Sequence, residues 1–251
     1  MGRVFIAILL SSVSFLSFSQ NTRLKDKNSI GWYAFNASLK LAPSWSLVGE
    51  FQWRRDNVFS DPQQNVYKLA LNHLATQGLN IRAGLALAET YNYGDIPANS
   101  MGKQFTEHRI YEMVGLSNKL GIAENSHRFM LEQRWVGRYT DASLNKEDDY
   151  VYTNRLRYMY RLQIPFKGKE FADNTPYAAV YDEVFVGFGK NVGENVFDQN
   201  RLGLLLGYRF SPKVRLEGGF LSQIAQFGRE IGGRNVFQHN TGLIISTNLS
   251  F

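Results

Sequence analysis

Charged side chains recur at every second position within several apolar segments of this chain of 251 residues. One such segment sets Arg155 and Arg157 between Leu156 and Tyr158. The planar guanidinium fork pairs with carboxylates, so these arginines could form ion pairs with acids on neighbouring strands. The residues that share this spacing are Glu50, Arg54, Arg82, Glu107, Arg109, Arg128, Glu132, Arg134, Arg155, Arg157, Arg161, Glu183, Arg201, Arg215 and Glu217.

These charges allow two interpretations if the face that carries them is enclosed. Charges removed from bulk water must be paired or hydrated. The first interpretation is a packed structural network of ion pairs that fills the lumen of a small barrel. The second is a narrow pore, which would favour anions because arginine outnumbers glutamate in this set. The sequence leaves both interpretations open.

Serine and histidine are the residues from which a catalytic nucleophile and its base would come. A hydrolase needs both within hydrogen-bond reach, together with a group that orients the base. Ser126 and His127 are adjacent, but adjacent residues of a strand point to opposite faces. No Gly-x-Ser-x-Gly motif is present. We therefore expect no catalytic residues.

The N-terminal segment has the features of a secretory signal peptide. Arg3 supplies the positive charge, and residues 4–18 form an apolar stretch, interrupted by serines, that is too short to span a bilayer. Ser17 and Ser19 place small residues at the two positions that signal peptidase reads. We predict a signal peptide over residues 1–19 and a single mature domain over residues 20–251.

The composition argues against disulfides, metal sites, cofactors and a nucleic-acid partner. The chain has no cysteine, which excludes disulfides, thiolate metal sites and cysteine nucleophiles. No group of histidine, aspartate and glutamate has a familiar metal-ligand spacing, so we expect neither a metal nor a cofactor. The formal net charge of +6 is common in nucleic-acid-binding proteins, but export makes a nucleic-acid partner unexpected.

Apolar and polar residues alternate with a period of two along the chain after residue 29, which predicts half-buried strands. Eleven such segments cover residues 30–41, 45–55, 65–75, 79–91, 105–117, 127–139, 152–164, 177–188, 197–210, 214–227 and 237–251. Bacterial single-chain barrels have even strand numbers. We therefore predict an all-β fold, an antiparallel up-and-down transmembrane β-barrel of ten to twelve strands, with twelve favoured. The path of residues 20–29 is left open.

The predicted connections alternate between short turns and long polar loops, as they do in outer-membrane barrels. The short connections are residues 42–44, 76–78 and 211–213, with a somewhat longer one at 118–126. The long connections are residues 56–64, 92–104, 141–149, 189–196 and 228–236. Residues 166–176 are an exception, because they form a medium-length connection where a tight turn is expected.

Strand length and lysine usage favour a membrane barrel over a soluble one. Most predicted strands reach the roughly 9–11 residues needed to cross a hydrocarbon core, whereas strands of globular proteins have about 5–6. Only Lys40 and Lys68 fall within predicted strands, and an enclosed polar face favours arginine over lysine. Aromatic residues near strand ends, Trp32 and Tyr177 among them, would suit girdles at the membrane surfaces. The alternative is a soluble periplasmic barrel that binds an apolar ligand.

The last predicted strand ends in alternating apolar residues with an aromatic terminus. Leu243, Ile245, Leu249 and Phe251 share one face. This pattern resembles the C-terminal signal by which the barrel-assembly machinery recognises outer-membrane proteins. We therefore expect the bacterial outer membrane as the location, with its lipid and that machinery as partners, and leave the oligomeric state open. A barrel enzyme that hydrolyses or modifies envelope lipid is the alternative to a non-enzymatic protein.

Three charged runs in the middle of the chain carry a family resemblance. They begin at Glu107, His127 and Asn154 and read EHRIY, HRFMLEQR and NRLRY; Glu183 and a QNR run at 199–201 follow. Together they resemble the domain-of-unknown-function family numbered 2490, whose members are small outer-membrane β-barrel proteins of Gram-negative bacteria. The resemblance covers nearly all of the mature chain. It implies the location and the fold, and it supplies no catalytic residue.

Overall fold

The structure, a computed structural model, describes residues 23–168, 170–193 and 195–251. These residues form eleven β-strands and no helix, which confirms the predicted all-β class. The strands are β1 (Arg23–Ala42), β2 (Trp45–Asp56), β3 (Asp61–Thr76), β4 (Leu79–Thr90), β5 (Phe105–Leu120), β6 (Ala123–Arg138), β7 (Asp149–Pro165), β8 (Thr175–Phe188), β9 (Phe197–Arg209), β10 (Val214–Ile231) and β11 (Arg234–Ser250). A helix long and apolar enough to cross a membrane is absent from this part of the chain. The predicted signal peptide lies outside the described residues.

The strands form one closed barrel in chain order. Each strand pairs antiparallel with the next, from β1 with β2 to β10 with β11. The barrel closes where β1 pairs in parallel with β11, and we call this pair the seam. An odd number of alternating strands leaves the first and the last running in the same direction, so closure requires one parallel pair.

The structure has eleven strands. This number confirms the predicted range of ten to twelve, although the sequence favours twelve. An even number of strands is required only if the first and last strands pair antiparallel. Here they pair in parallel at the seam, so an odd number can close the barrel. The seam also makes the barrel mixed at this one pair, where we predicted antiparallel pairing throughout.

The first strand begins at Arg23, before the predicted start at residue 30. The polar composition of residues 23–29 offers no apolar face from which a strand can be predicted. The seam orders these residues, because β11 supplies a partner for each of them. Asp26 is buried inside the barrel, whereas Lys25 and Lys27 are exposed outside it.

The connections lie at two ends of the barrel. The loop end carries residues 57–60, 91–104, 139–148, 189–193, 195–196 and 232–233, and the turn end carries residues 43–44, 77–78, 121–122, 166–168, 170–174 and 210–213. Two of the predicted long loops are wrong, because the strands beside them continue to pair. β2 and β3 remain paired up to Asp56 and Asp61. β10 and β11 turn through Gly232 and Gly233, whose φ angles of 57° and 69° suit a tight hairpin.

Apolar side chains cover the outside of the barrel. Leu69, Leu85 and Leu206 occupy outward positions and are 56%, 62% and 65% exposed. The polar residues that alternate with such positions point inward, and Glu132 and Glu183 are 1% and 2% exposed. A barrel that folds in water would bury its apolar face instead.

Carboxylates of β5 and β8 interrupt this outer apolar face. Glu112 of β5 accepts a hydrogen bond from the Gln133 amide at 3.3 Å. Asp182 of β8 accepts one from the Asn200 amide at 2.6 Å. Each acid is therefore satisfied in part by a neighbouring strand.

Aromatic rings fill part of the interior where glycine leaves room. Tyr177 and Tyr181 of β8 lie over Gly207 and Gly203 of β9, and a Cβ atom at either glycine would clash with the ring. Tyr177 is fully buried, and Trp32 of β1 is also buried. The prediction that Trp32 and Tyr177 belong to an outer girdle is wrong, because strand alternation turns both inward.

Candidate functional site

The structure places every residue of the predicted charge set inside the barrel. Each of them lines an interior cavity or is buried against its neighbours. Strands β5 to β9 bring most of them together on one wall, and we call this group the central network. It consists of Glu107, Arg109, Arg128, Glu132, Arg134, Arg155, Arg157, Glu183 and Arg201, joined by Asp198. The predicted residues outside it are Glu50, Arg54, Arg82, Arg161, Arg215 and Glu217.

Glu132 of β6 is the most enclosed acid of the central network. Its Oε2 accepts a hydrogen bond from Arg155 Nε at 2.6 Å, and its Oε1 accepts one from Arg157 Nη1 at 2.9 Å. Arg109 Nη1 approaches the same Oε1 to 3.9 Å. Strand pairing explains the first contact, because β7 carries Arg155 directly opposite Glu132. Hydrogen bonds between charged partners are the stronger class.

Glu107 and Glu183 are held in the same way on either side of Glu132. Glu107 of β5 accepts hydrogen bonds from Arg109 Nε at 2.7 Å and Nη2 at 2.9 Å. Glu183 of β8 accepts one from Arg128 Nη2 at 2.8 Å and one from Arg157 Nη2 at 2.7 Å. The acids of this wall are thus shared among arginines, which outnumber them.

Asp198 belongs to the central network although its position in the period-two pattern of β9 is an outward one. It accepts a hydrogen bond from Arg155 Nη1 at 2.8 Å and one from Arg134 Nη1 at 3.4 Å. The register of β8 against β9 shifts between Phe185 and Val186, which leaves Asp198 as the extra residue of a β-bulge. An acid on an apolar alternation is the one sign of this in the sequence.

A second group of pairs lies outside the central network. Arg161 pairs with Glu217, with Nη1 at 3.3 Å from Oε2, and the Tyr177 hydroxyl donates to the same carboxylate at 2.6 Å. Glu50 of β2 pairs with Lys68 of β3, whose Nζ lies 2.8 Å from Oε1. Lys68 belongs to this interior although the predicted set omitted it.

A layer of aromatic rings and guanidinium groups crosses the interior near the middle of β1. The Arg54 guanidinium lies 3.8 Å from the centre of the Trp32 ring, and that of Arg201 lies 4.8 Å from it. Arg201 and Arg157 lie 4.5 Å and 4.3 Å from the centre of the Phe185 ring. Because β1 and β8 are not neighbours in the barrel, these five residues span the lumen. We call them the central stack.

The central stack divides the interior into two chambers. The loop-end chamber has a volume of about 590 Å³ and the turn-end chamber one of about 440 Å³, and Trp32 and Arg201 line both. Trp32 is fixed by a hydrogen bond of 2.7 Å from its Nε1 to Gln63 Oε1. A smaller cavity of about 260 Å³ lies beside Arg161 and Glu217.

The connection 91–104 covers part of the loop-end chamber. It leaves β4 and reaches β1 and β11 on another wall, where the Tyr93 hydroxyl donates a hydrogen bond to Gln238. The Asp26 carboxylate accepts a hydrogen bond from the backbone N–H of Asp95 at 3.3 Å. Burial raises the pKa of the Tyr93 hydroxyl, so it stays a neutral donor at physiological pH.

The residues of the predicted assembly signal lie on the outer face beside the seam. Leu243, Ile245 and Phe251 are exposed, and Leu249 is half-buried. The backbone N–H of Phe251 donates to the carbonyl of Ser38 on β1 at 2.8 Å. The role of these residues in assembly stays a prediction.

Ser126 and His127 point to opposite faces of β6. Ser126 lines the small cavity near the turn end. His127 lies outside, with Nδ1 at 2.9 Å from the Tyr158 hydroxyl. Within the residues that the structure describes, no group of three or more histidine, aspartate and glutamate side chains could hold a metal ion.

The strand order, the outward apolar face and the charged interior together define a closed β-barrel with an ion-paired lumen. The chain belongs to the family described as "Protein of unknown function (DUF2490)", which matches residues 30–230, and the resemblance seen in the charged runs is thereby confirmed. Among solved structures, a chain described as "NanC porin structure in rhombohedral crystal form" is similar, with a TM-score of 0.48 and 11% identity over 88% of this chain and 98% of that one. The comparison with curated proteins found no match.

Proposed function

We propose that this protein is a non-enzymatic barrel of the bacterial outer membrane whose arginine and glutamate lumen is a packed structural network. The observation that carries the proposal is the inverted distribution of side chains, with large apolar residues outside and charges inside. Such an outer surface is unfavourable in water and favourable against lipid. The strands have 12 to 20 residues, which exceeds the roughly 9–11 that a crossing requires.

Export would use the signal peptide at residues 1–19, and insertion would use the barrel-assembly machinery acting on the last strand. Cell fractionation tests the location, and heat-modifiable migration on gels tests whether the purified chain behaves as an outer-membrane barrel. We expect the protein in the outer-membrane fraction. A chain that stays dissolved without detergent would contradict the proposal and favour the soluble periplasmic barrel with an apolar ligand.

The packed network is supported by the sharing of the acids of the central network among arginines and by the central stack between the two chambers. Removing charges from water is offset only where such geometry satisfies them. Single-channel recording of the purified protein in planar bilayers tests this interpretation. A packed network predicts no conductance, and steady channel openings would contradict it.

A narrow anion-favouring pore is the second candidate. It is favoured by one observation, namely that only the layer of the central stack separates the two chambers. The excess of arginine over acids would attract anions into such a passage. The reversal potential in a salt gradient tests the pore. Anion preference would support it, and cation preference or a lack of conductance would defeat it.

The absence of enzymatic activity is part of the same proposal. Phospholipase and lipid-deacylase assays on the purified protein test it, with His127→Ala as the comparison variant. We expect no turnover by either protein. Turnover that disappears in His127→Ala would favour the alternative of an enzyme acting on envelope lipid.

A further inference from the structure

The loop-end chamber holds more arginine than its acids can balance. Among the described residues that line it, seven are arginines and two are acids, Glu107 and Asp198. Both acids are already engaged, Glu107 by Arg109 at 2.7 Å and Asp198 by Arg155 at 2.8 Å. The chamber volume of about 590 Å³ lies within the range of roughly 300–1,000 Å³ that is typical of small-molecule sites.

Four of these arginines, Arg54, Arg138, Arg201 and Arg229, make no close ion pair with a described acid, and Arg54 and Arg201 are the two that lie at the central stack. Arg54 donates to amide oxygens, from Nε to Gln52 at 2.9 Å and from Nη1 to Gln64 at 2.6 Å. Arg201 comes no closer than 3.9 Å to Glu183. The Nε atom of Arg201 is buried and has no hydrogen-bond partner in the described part of the chain.

The two guanidinium groups lie against the same indole ring and are enclosed at the floor of the chamber. Both stack on the Trp32 ring, at 3.8 Å and 4.8 Å from its centre. Arg54 is 7% exposed, and the side chain of Arg201 is 12% exposed. Two enclosed positive charges that no described acid pairs closely repel each other and lose hydration, and a bound anion would offset both costs.

We propose that the loop-end chamber binds a small polar molecule through an oxyanion group, a carboxylate or a phosphate, that accepts hydrogen bonds from Arg54 and Arg201. The guanidinium fork matches either oxyanion. The amide side chains of Gln199, Gln223 and Gln238 also line the chamber and suit hydroxyl or carbonyl groups elsewhere on the ligand. This site goes beyond the proposed function, because it needs the chamber but neither conduction nor enzymatic activity.

Trp32 supplies a direct readout, because it is the one tryptophan that lines the chamber. In a variant whose Trp45, Trp53 and Trp135 are replaced by phenylalanine, Trp32 is the sole tryptophan of the chain. The folded variant in detergent is titrated with inorganic phosphate in one arm and with citrate in another, each against sodium chloride at equal ionic strength. We expect a saturable change in Trp32 fluorescence with at least one of the two oxyanions and none with chloride.

The variants Arg54→Gln and Arg201→Gln test the two arginines. Each substitution removes a group stacked on Trp32 and can alter its fluorescence, so the apparent Kd is also measured by calorimetry. Each variant should raise Kd by at least about tenfold, as expected for the loss of a hydrogen bond to a charged group. Arg82→Gln is the matched control, since Arg82 lines the turn-end chamber and should leave Kd unchanged. Heat-modifiable migration verifies folding, and Arg54→Gln alone carries the test if Arg201→Gln does not fold.

A fluorescence change that chloride reproduces would overturn the proposal, and so would Kd values that neither substitution alters. This failure is distinguishable from a failure of the proposed function. A heat-modifiable barrel that binds neither phosphate nor citrate refutes the site alone. A barrel that binds one of them but conducts no ions supports both the site and the packed network.

Discussion

Glu132 shows how the barrel holds charged side chains that the protein encloses. Its carboxylate is 1% exposed and touches Arg155 and Arg157 at hydrogen-bond distance. Burying such ions carries a desolvation cost that only good geometry offsets, so the loss of one partner is more damaging than the intact pair is stabilising. The buried arginines around Glu132 therefore depend on its carboxylate for part of their counter-charge.

Glu132→Gln should lower the free energy of unfolding by about 3–5 kcal/mol, because it leaves two buried arginines short of a counter-charge. Urea unfolding of the purified protein in detergent, followed by tryptophan fluorescence, measures the change. Glu170→Gln is the control, since its pair with Lys119 is open to solvent, with side chains 74% and 58% exposed. Equal stability of the two variants would show that the network does not stabilise the barrel.

Trp32→Ala should connect the two chambers, because the indole ring is a main component of the central stack. We expect this variant to conduct in planar bilayers, with anion preference, whereas the unaltered protein does not. Trp53→Ala removes an indole ring from the outer face and should leave the barrel non-conducting. A folded Trp32→Ala barrel without conductance would mean that other side chains close the lumen.

Strand alternation placed the charges of the predicted set on one face, because a period of two leaves only two possible faces. Strand length and the scarcity of lysine then assigned that face to the interior. Several interior residues escaped this reasoning, and Asp198 and Trp32 show why. Asp198 turns inward through a β-bulge, and the one sign of this bulge in the sequence is an acid at an outward position of the alternation. Trp32 lies on the opposite face of β1 from Tyr33 and Phe35, as strand alternation requires. An indole is both apolar and a hydrogen-bond donor, so this residue type suits the interior as well as the lipid face.

At the level of strands, the seam distinguishes this barrel from one built of antiparallel pairs alone. β1 and β11 pair over sixteen positions, from Arg23 with Asn235 to Ser38 with Ser250. Their chains approach closely at Gly242, which lies opposite Ile30. A Cβ atom at Gly242 would clash with the Ile30 carbonyl oxygen.

Gly242→Ala should therefore push β1 and β11 apart and destabilise the barrel by about 1–3 kcal/mol, the usual cost of overpacking. The urea midpoint measures the effect. Gly49→Ala on β2 is the control, because a Cβ atom there meets nothing within 4 Å. If the two substitutions have the same effect, the seam is not as closely packed as described.

The positions of most strands followed from the sequence, whereas the closure of the barrel did not. Alternation identifies a strand by its own residues, and ten of the pairings join consecutive strands through hairpins. The seam pairs the two ends of the chain, and residues 23–29 form a strand only because β11 lies beside them. The shortened loops at residues 57–60 and 232–233 have the same cause, since polar strand ends are ordered by their partners.

As a whole, the barrel pairs every strand on both sides and exposes no free sheet edge. A closed barrel satisfies its own backbone hydrogen bonds, which is the condition for a strand to lie in lipid. Strand length and the scarcity of lysine within strands predicted this arrangement. The division of the lumen into two chambers could not be predicted, because it depends on which side chains meet across the interior.

Quenching of tryptophan fluorescence by lipids with brominated acyl chains tests the central claim, which is that the apolar face meets lipid and the charged face is enclosed. Trp45, Trp53 and Trp135 lie on the outer face beside other aromatic rings, and Trp32 lies inside. In vesicles of these lipids, variants that retain a single outer tryptophan should be quenched, and the variant that retains Trp32 should not. Quenching of Trp32 with the outer three unaffected, or a chain that fails to insert, would contradict the account.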